Sequence, residues 1–143
     1  MTAEDRAALV VQLRLHEGQR VKPYMDTVGK ITIGVGRNLS DKGLTADEVA
    51  LLLDHDLDEA LADCATFPWF EALDAVRQRV LVDMRFNLGP TRFRAFKRML
   101  RALSEQNYEW AATAMRESAW YRQVKARGAR LVRMMRTGED YTA

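Results

Sequence analysis

Apolar positions recur at intervals of three and four near the start of the chain and through most of its second half; between these stretches the period is two. Ala7, Leu9, Val10, Leu13 and His16 fall on one helical face, so residues 4–16 are predicted to form a helix. Thr2 with Asp5 three residues later has the form of a capping box, and Gly18 stands where a helix C-cap is expected. Over residues 20–39 Ile31, Ile33 and Val35 alternate with Thr32, Gly34 and Gly36, which predicts strands, with a hairpin turn at Thr27-Val28-Gly29-Lys30. Pro23 suits an edge strand. Ser40 to Leu44 reads as a loop. Thr45-Ala46-Asp47-Glu48 is a second capping box and opens a helix to about Ala65, with Val49, Leu52, Leu53, Leu57, Ala60 and Leu61 as its apolar face.

Phe67-Pro68-Trp69-Phe70 ends that helix and supplies aromatic core. Asp74 is placed to cap the next, whose stripe is Ala75, Val76, Val80, Leu81, Met84 and Leu88. Phe93, Phe96, Met99, Leu100 and Leu103 predict one further amphipathic helix. Asn107 caps another from Tyr108, and Ser118 opens a short one at Trp120-Tyr121. The expected class is α+β, mainly helical, as one domain over 1–143. A small N-terminal β-hairpin lobe (about 17–44) is joined by a long helix (about 46–65) to a larger all-helical lobe (about 66–137), with the helix 4–16 packed on that lobe.

Composition narrows the class. No run of about twenty apolar residues exists, so no transmembrane helix or membrane anchor is expected. The acidic start, Met1 to Asp5, lacks the basic region of a secretory signal. The single cysteine, Cys64, excludes an internal disulfide and reads as a small apolar residue on a helix face. Two isolated histidines, His16 and His55, make no metal set, and no cofactor is expected. Charge is uneven: residues 1–76 carry 7 Lys/Arg against 14 Asp/Glu, and residues 77–136 carry 15 against 4. The basic half suggests attraction to a polyanion, with nucleic acid, an anionic membrane face and anionic cell wall as candidates.

The stretch from His16 to Gly36 carries the candidate chemistry. Glu17 ends the first helix, Asp26 precedes the hairpin turn, and Thr32 lies on the returning strand. The hairpin folds Thr32 back beside Asp26, and the turn at Gly18 brings both near Glu17. Two carboxyl groups and a hydroxyl facing one space suit acid/base hydrolysis of an acetal.

Glu17-Gly18, Tyr24-x-Asp26 and Gly29-x-x-Thr32-Ile33-Gly34-x-Gly36 together resemble the active-site segment of the T-even-phage lysozymes, glycoside hydrolase family 24. Leu73-Asp74-Ala75-Val76-Arg77, Ser118-Ala119-Trp120-Tyr121, Arg127, Arg130 and Arg136-Thr137-Gly138 extend the likeness to the C-terminal half. The resemblance implies a muramidase acting on the β-1,4 bond from N-acetylmuramic acid to N-acetylglucosamine. Glu17 would be the general acid, held protonated in a partly apolar site, while Asp26 and Thr32 would hold the attacking water. Inversion would require roughly 6.5–9.5 Å between the carboxyl groups, against about 5–5.5 Å for retention. Phe86 and Asn87 match sugar-contacting positions. Arg127 matches an arginine near the catalytic glutamate and would tie the C-terminal helices to Glu17. Asp56 falls where the family has a carboxylate paired with a histidine; Arg37 stands at the histidine position, so an Arg37–Asp56 ion pair is expected.

The partner implied is bacterial peptidoglycan, with a monomer as the working unit. As an endolysin, the chain would wait in the host cytoplasm until a separate pore released it to the wall. Two other functions stay open on the residues alone. One is a lysozyme-like wall binder without catalysis. The other is a basic helical nucleic-acid module suggested by Arg92, Arg94, Lys97, Arg98 and Arg101, although it lacks interleaved aromatics and a helix-turn-helix pattern.

Overall fold

The computed structural model of the chain describes residues 1–142. Its elements run α1 (Ala3–Glu17), β1 (Arg20–Met25), β2 (Ile31–Gly34), β3 (Arg37–Asn38), α2 (Ala46–Ala65), a 3₁₀ turn (Phe70–Ala72), α3 (Ala75–Leu88), α4 (Pro90–Arg94), α5 (Lys97–Ser104), α6 (Tyr108–Arg116), α7 (Ala119–Val124) and α8 (Ala126–Thr137). The mainly helical α+β class is therefore as expected. The chain forms two units, Met1–Leu51 and Leu52–Ala143, each described by itself below.

In the first unit the local sequence sets each element end. Thr2 and Asp5 form the capping box of α1, with the Thr2 hydroxyl accepting from the Asp5 N–H at 3.1 Å and the Thr2 N–H donating to Asp5 at 3.3 Å. Gly18 stops the helix at φ +75°, a value that a Cβ disfavours, and its N–H donates to Arg14 O at 2.9 Å. The three strands form an antiparallel sheet in the order β1-β2-β3. Tyr24 stands opposite Thr32, and Thr32 in turn opposite Asn38. Register slips between Arg20 and Tyr24, the interval that holds Pro23, which has no N–H for the ladder. Thr32 is buried, while α1 has no buried residue: Leu9 and Val10 are half-buried and His16 is exposed.

The second unit holds the core. Val80, Leu81 and Met84 of α3 are buried together with Met99 and Leu103 of α5, Ala111 and Met115 of α6, and Leu131 and Met135 of α8. Asp74, Asn107 and Ser118 cap α3, α6 and α7, each side chain accepting from the N–H three residues on. One guanidinium joins the beginning of this unit's helical run to its end. Arg77, on α3, donates to Met135 O at 2.7 Å and Arg136 O at 3.0 Å, pairs with Asp74 at 2.9 Å and lies 3.7 Å over the Tyr108 ring.

Two sequence expectations need correction. The helix predicted across Phe93 to Leu103 is two helices, because Phe96 leaves the helical region at ψ 55° between α4 and α5. The face that α2 buries is Ala60 and Cys64; Val49, Leu52, Leu53, Leu57 and Leu61 are exposed. Small side chains on that face leave room for charge. Arg85 of α3, only 6% exposed, reaches Asp63 at 2.6 Å and Glu59 at 3.2 Å, and Arg94 bonds the other Asp63 oxygen. Burial pushes the Asp63 carboxyl up, but the hydrogen bonds of Arg94 and Arg85 prevail and hold it below the usual range. Burial lifts the neighbouring Cys64 thiol to about 11, which keeps it protonated and unreactive.

Candidate active site

The β1–β2 turn is built around Asp26. Its Oδ1 accepts from the N–H groups of Val28 at 2.9 Å and Lys30 at 2.8 Å, and its own N–H donates to Lys30 O at 2.9 Å. A short side chain that bonds the backbone two and four residues on is what this turn requires. Oδ2 is left with no hydrogen bond among the described residues. The Thr32 hydroxyl donates to the same Lys30 carbonyl at 3.1 Å, so one carbonyl oxygen anchors both candidate water-holding residues. With its proton so engaged, the Thr32 oxygen is free to accept.

Glu17 is the last residue of α1, and its side chain is exposed, not enclosed by the apolar surroundings expected of it. Its carboxyl group rests on Gly36, in the turn joining β2 to β3. A methyl carbon built on Gly36 would lie 2.8 Å from Glu17 Oε2 and 3.1 Å from its carboxyl carbon. β2, which carries Thr32, therefore runs from the turn that Asp26 opens to the turn that Glu17 touches.

Arg37 does not pair with Asp56. Its guanidinium makes two bonds to Glu48, at 2.5 and 2.7 Å, and donates to Gly43 O at 3.2 Å. The reason is local: Glu48 is the capping-box residue of α2, already turned back to the Thr45 N–H at 2.8 Å. Asp56 lies eight residues farther along the helix, a rise of roughly 12 Å. The Arg37 hydrogen bonds, with help from Thr45, hold the Glu48 carboxyl at about 2. Because the folded-state value is depressed from about 4.3 in an unfolded chain, the pair stabilises the fold above pH ~4.3 and loses that contribution as pH falls through about 2. Glu48→Gln, which can still cap, is expected to lower the melting temperature by a constant amount from pH 5 to 7, with the gap closing toward pH 2. Asp56→Asn leaves the melting temperature unchanged; a larger drop for Asp56→Asn than for Glu48→Gln would restore the original pairing.

The remaining candidates lie on the helical unit. Phe86 of α3 is 41% exposed and forms part of the wall of two grooves. One, of about 250 Å³, is also lined by Leu53, Leu57, Val82 and Arg127; the other, of about 240 Å³, by Asp56, Glu59 and Arg85. Asn87 accepts from the Trp120 indole N–H at 2.9 Å, which fixes its carbonyl inward and leaves its NH₂ group outward. Arg127 donates through Nε at 3.0 Å and Nη2 at 2.7 Å to Asp83, a partner 44 positions away that sequence reasoning had not considered. No group of three or more His, Cys, Asp or Glu side chains suited to a metal occurs among the described residues.

Known proteins point the same way. A family model described as phage lysozyme matches residues 14–137. The chain is 28% identical over 160 residues to the pre-baseplate central spike protein Gp5 of Enterobacteria phage T4, covering 92% of this chain but only 28% of that protein. It is 26% identical over 156 residues to probable T4-type lysozyme 1 of Dictyostelium discoideum, covering 88% and 92% of the two chains. It is 32% identical over 116 residues to the endolysin of Salmonella phage P22, covering 73% and 76%. With a family match running from α1 to α8, the chain belongs to the phage lysozyme family, a family of glycoside hydrolases.

Proposed function

We propose that the chain hydrolyses the β-1,4 bond between N-acetylmuramic acid and N-acetylglucosamine in bacterial peptidoglycan, by general acid/base catalysis with inversion. The observation that carries this reading is the Glu17 carboxyl resting on Gly36, at one end of the strand whose other end adjoins Asp26. Glu17 delivers its proton to the departing glycosidic oxygen. Asp26 Oδ2, the oxygen not committed to the turn, takes a proton from the attacking water. Thr32, its own proton on Lys30 O, accepts the water's second hydrogen and so aims the water's lone pair at the anomeric carbon. Phe86 supplies an apolar face to a sugar ring and the Asn87 NH₂ a hydrogen bond. Arg127 is steadied by Asp83 and keeps Nη1 uncommitted.

The proposed arrangement is one lysozyme-like domain. The proposed setting is host-cell lysis, with the chain held in the cytoplasm until a separate pore opens. No helix among the described residues is long and apolar enough to cross a membrane. The match to part of a central spike protein favours a second setting, in which a tail particle carries the same chemistry.

The decisive experiment is incubation of the chain with purified peptidoglycan sacculi and with outer-membrane-permeabilised cells. Falling turbidity and new reducing ends on N-acetylmuramic acid are expected, and the first-formed product should be the inverted α-anomer. Sacculi left intact would leave only a wall binder without catalysis.

A further inference from the structure

A second surface on the helical unit, outside the residues assigned to hydrolysis, has the makings of a ligand site. Trp110 of α6 is 64% exposed, whereas Trp120 is 3% exposed. The α6 residues that face the core are Ala111, Ala112, Ala114 and Met115, so Trp110 is not needed for that packing. Among the described residues no arginine and no second ring stacks on its indole. Leaving so large an apolar face in water is unfavourable, and a solvated aromatic beside polar groups marks contact surfaces.

Trp110 lines an open groove of about 370 Å³ together with Arg98, Arg101, Ala102, Glu105 and Asn107. α5, along one side, carries Lys97, Arg98 and Arg101 and no acidic residue. The two arginines have partners, Arg98 with Glu117 at 2.6 Å and Arg101 with Glu105 at 3.4 Å. Both pairs are more than half exposed, so their strength is slight and a ligand anion can take either guanidinium. A flat indole beside two available guanidinium groups fits a sugar ring bearing a carboxylate: the ring's C–H face stacks on the indole while the arginines take the acid.

We propose that this groove is a second, non-catalytic binding site for carboxylate-bearing glycan, which on the reading above is the peptidoglycan strand itself. The site holds the enzyme on the insoluble wall between cleavage events. Charge complementarity selects this occupant: the lactyl and peptide carboxylates of the wall match the positive charge that Lys97, Arg98 and Arg101 give α5.

The test separates this proposal from the catalytic one. Full-length chain carrying Glu17→Gln is co-sedimented with purified sacculi, alone and with Trp110→Ala, Trp110→Tyr or Arg98→Gln/Arg101→Gln added. Trp110→Ala and the double arginine variant are expected to weaken binding about tenfold. Trp110→Tyr, which retains a stacking face, should retain most of it. The arginine variant should also lose most of the salt dependence. In the parent with Glu17 intact, Trp110→Ala leaves the cleavage rate of short soluble glycan oligomers unchanged. Unaltered sedimentation of Trp110→Ala, or no sedimentation of the parent, overturns the proposal. A parallel fall in oligomer cleavage overturns it too, as does Trp110-dependent binding to phosphatidylglycerol vesicles with wall binding intact. Failure to cut sacculi would defeat the hydrolase reading and leave this binding result standing.

Discussion

Glu17→Gln is expected to lower the initial rate of wall lysis by roughly 10²–10⁴-fold, the range that a positioned general acid contributes. The fold should not notice the change. Glu17 is exposed at the end of α1 and has no ion pair or hydrogen bond among the described residues. Glutamine keeps its length and helix preference, so melting temperature and far-ultraviolet circular dichroism should match the parent's. Asp26→Asn is the companion variant. Asparagine can offer the same Oδ1 to the Val28 and Lys30 N–H groups, so the turn survives and only proton acceptance is lost. Turbidity of permeabilised cells reads both variants, and a Glu17→Gln protein that clears cells at more than a tenth of the parent rate would end the assignment.

Gly36→Ala should come next in size. Its added methyl carbon would stand 2.8 Å from Glu17 Oε2, closer than nonbonded atoms tolerate, so the carboxyl group must move. Displacement of a reacting group by about 1 Å can cost roughly 10²-fold in rate. Position 36 also sits at φ +68°, where alanine is strained by about 1–2 kcal/mol. Gly34→Ala separates the two effects. Its φ is +66°, but nothing lies within 4 Å of the added carbon. Both variants should therefore lose similar stability in thermal melts, while only Gly36→Ala should lose most of its activity. Equal activity losses would mean that backbone strain, not the crowding of Glu17, is responsible.

What could be read from the sequence was local. The Thr2–Asp5 and Thr45–Glu48 boxes, the Asp74, Asn107 and Ser118 caps and the stop at Gly18 each involve residues within four positions of one another. The helix break at Phe96 hid because apolar spacing continues across it while the helical backbone conformation does not. Partners distant in sequence were beyond reach. Arg37 was matched to the wrong acid because motif alignment favoured Asp56 over a nearer capping residue whose second role is visible only in three dimensions. Arg127–Asp83 and Arg85–Asp63 span 44 and 22 positions. For Arg85 a signal was present: it falls four residues after Leu81 and three before Leu88, on the stripe that otherwise buries apolar side chains. A charge in such a place requires a buried partner.

The same locality explains the candidate site. Glu17, Asp26 and Thr32 lie within 16 positions and on consecutive elements, so a short motif can specify them. Asn87 and Trp120 are joined by one hydrogen bond across 33 positions, and neither residue type announces that bond.

The Arg77 guanidinium also bears on the order in which the molecule is made. Its acceptors at Met135 and Arg136 leave the ribosome some sixty residues after Arg77 itself. Until those carbonyls arrive, the first turn of α3 lacks its clasp and the core lacks Leu131 and Met135. Completion of the helical unit thus waits on the synthesis of α8, and a nascent chain stalled before α8 is exposed to proteolysis.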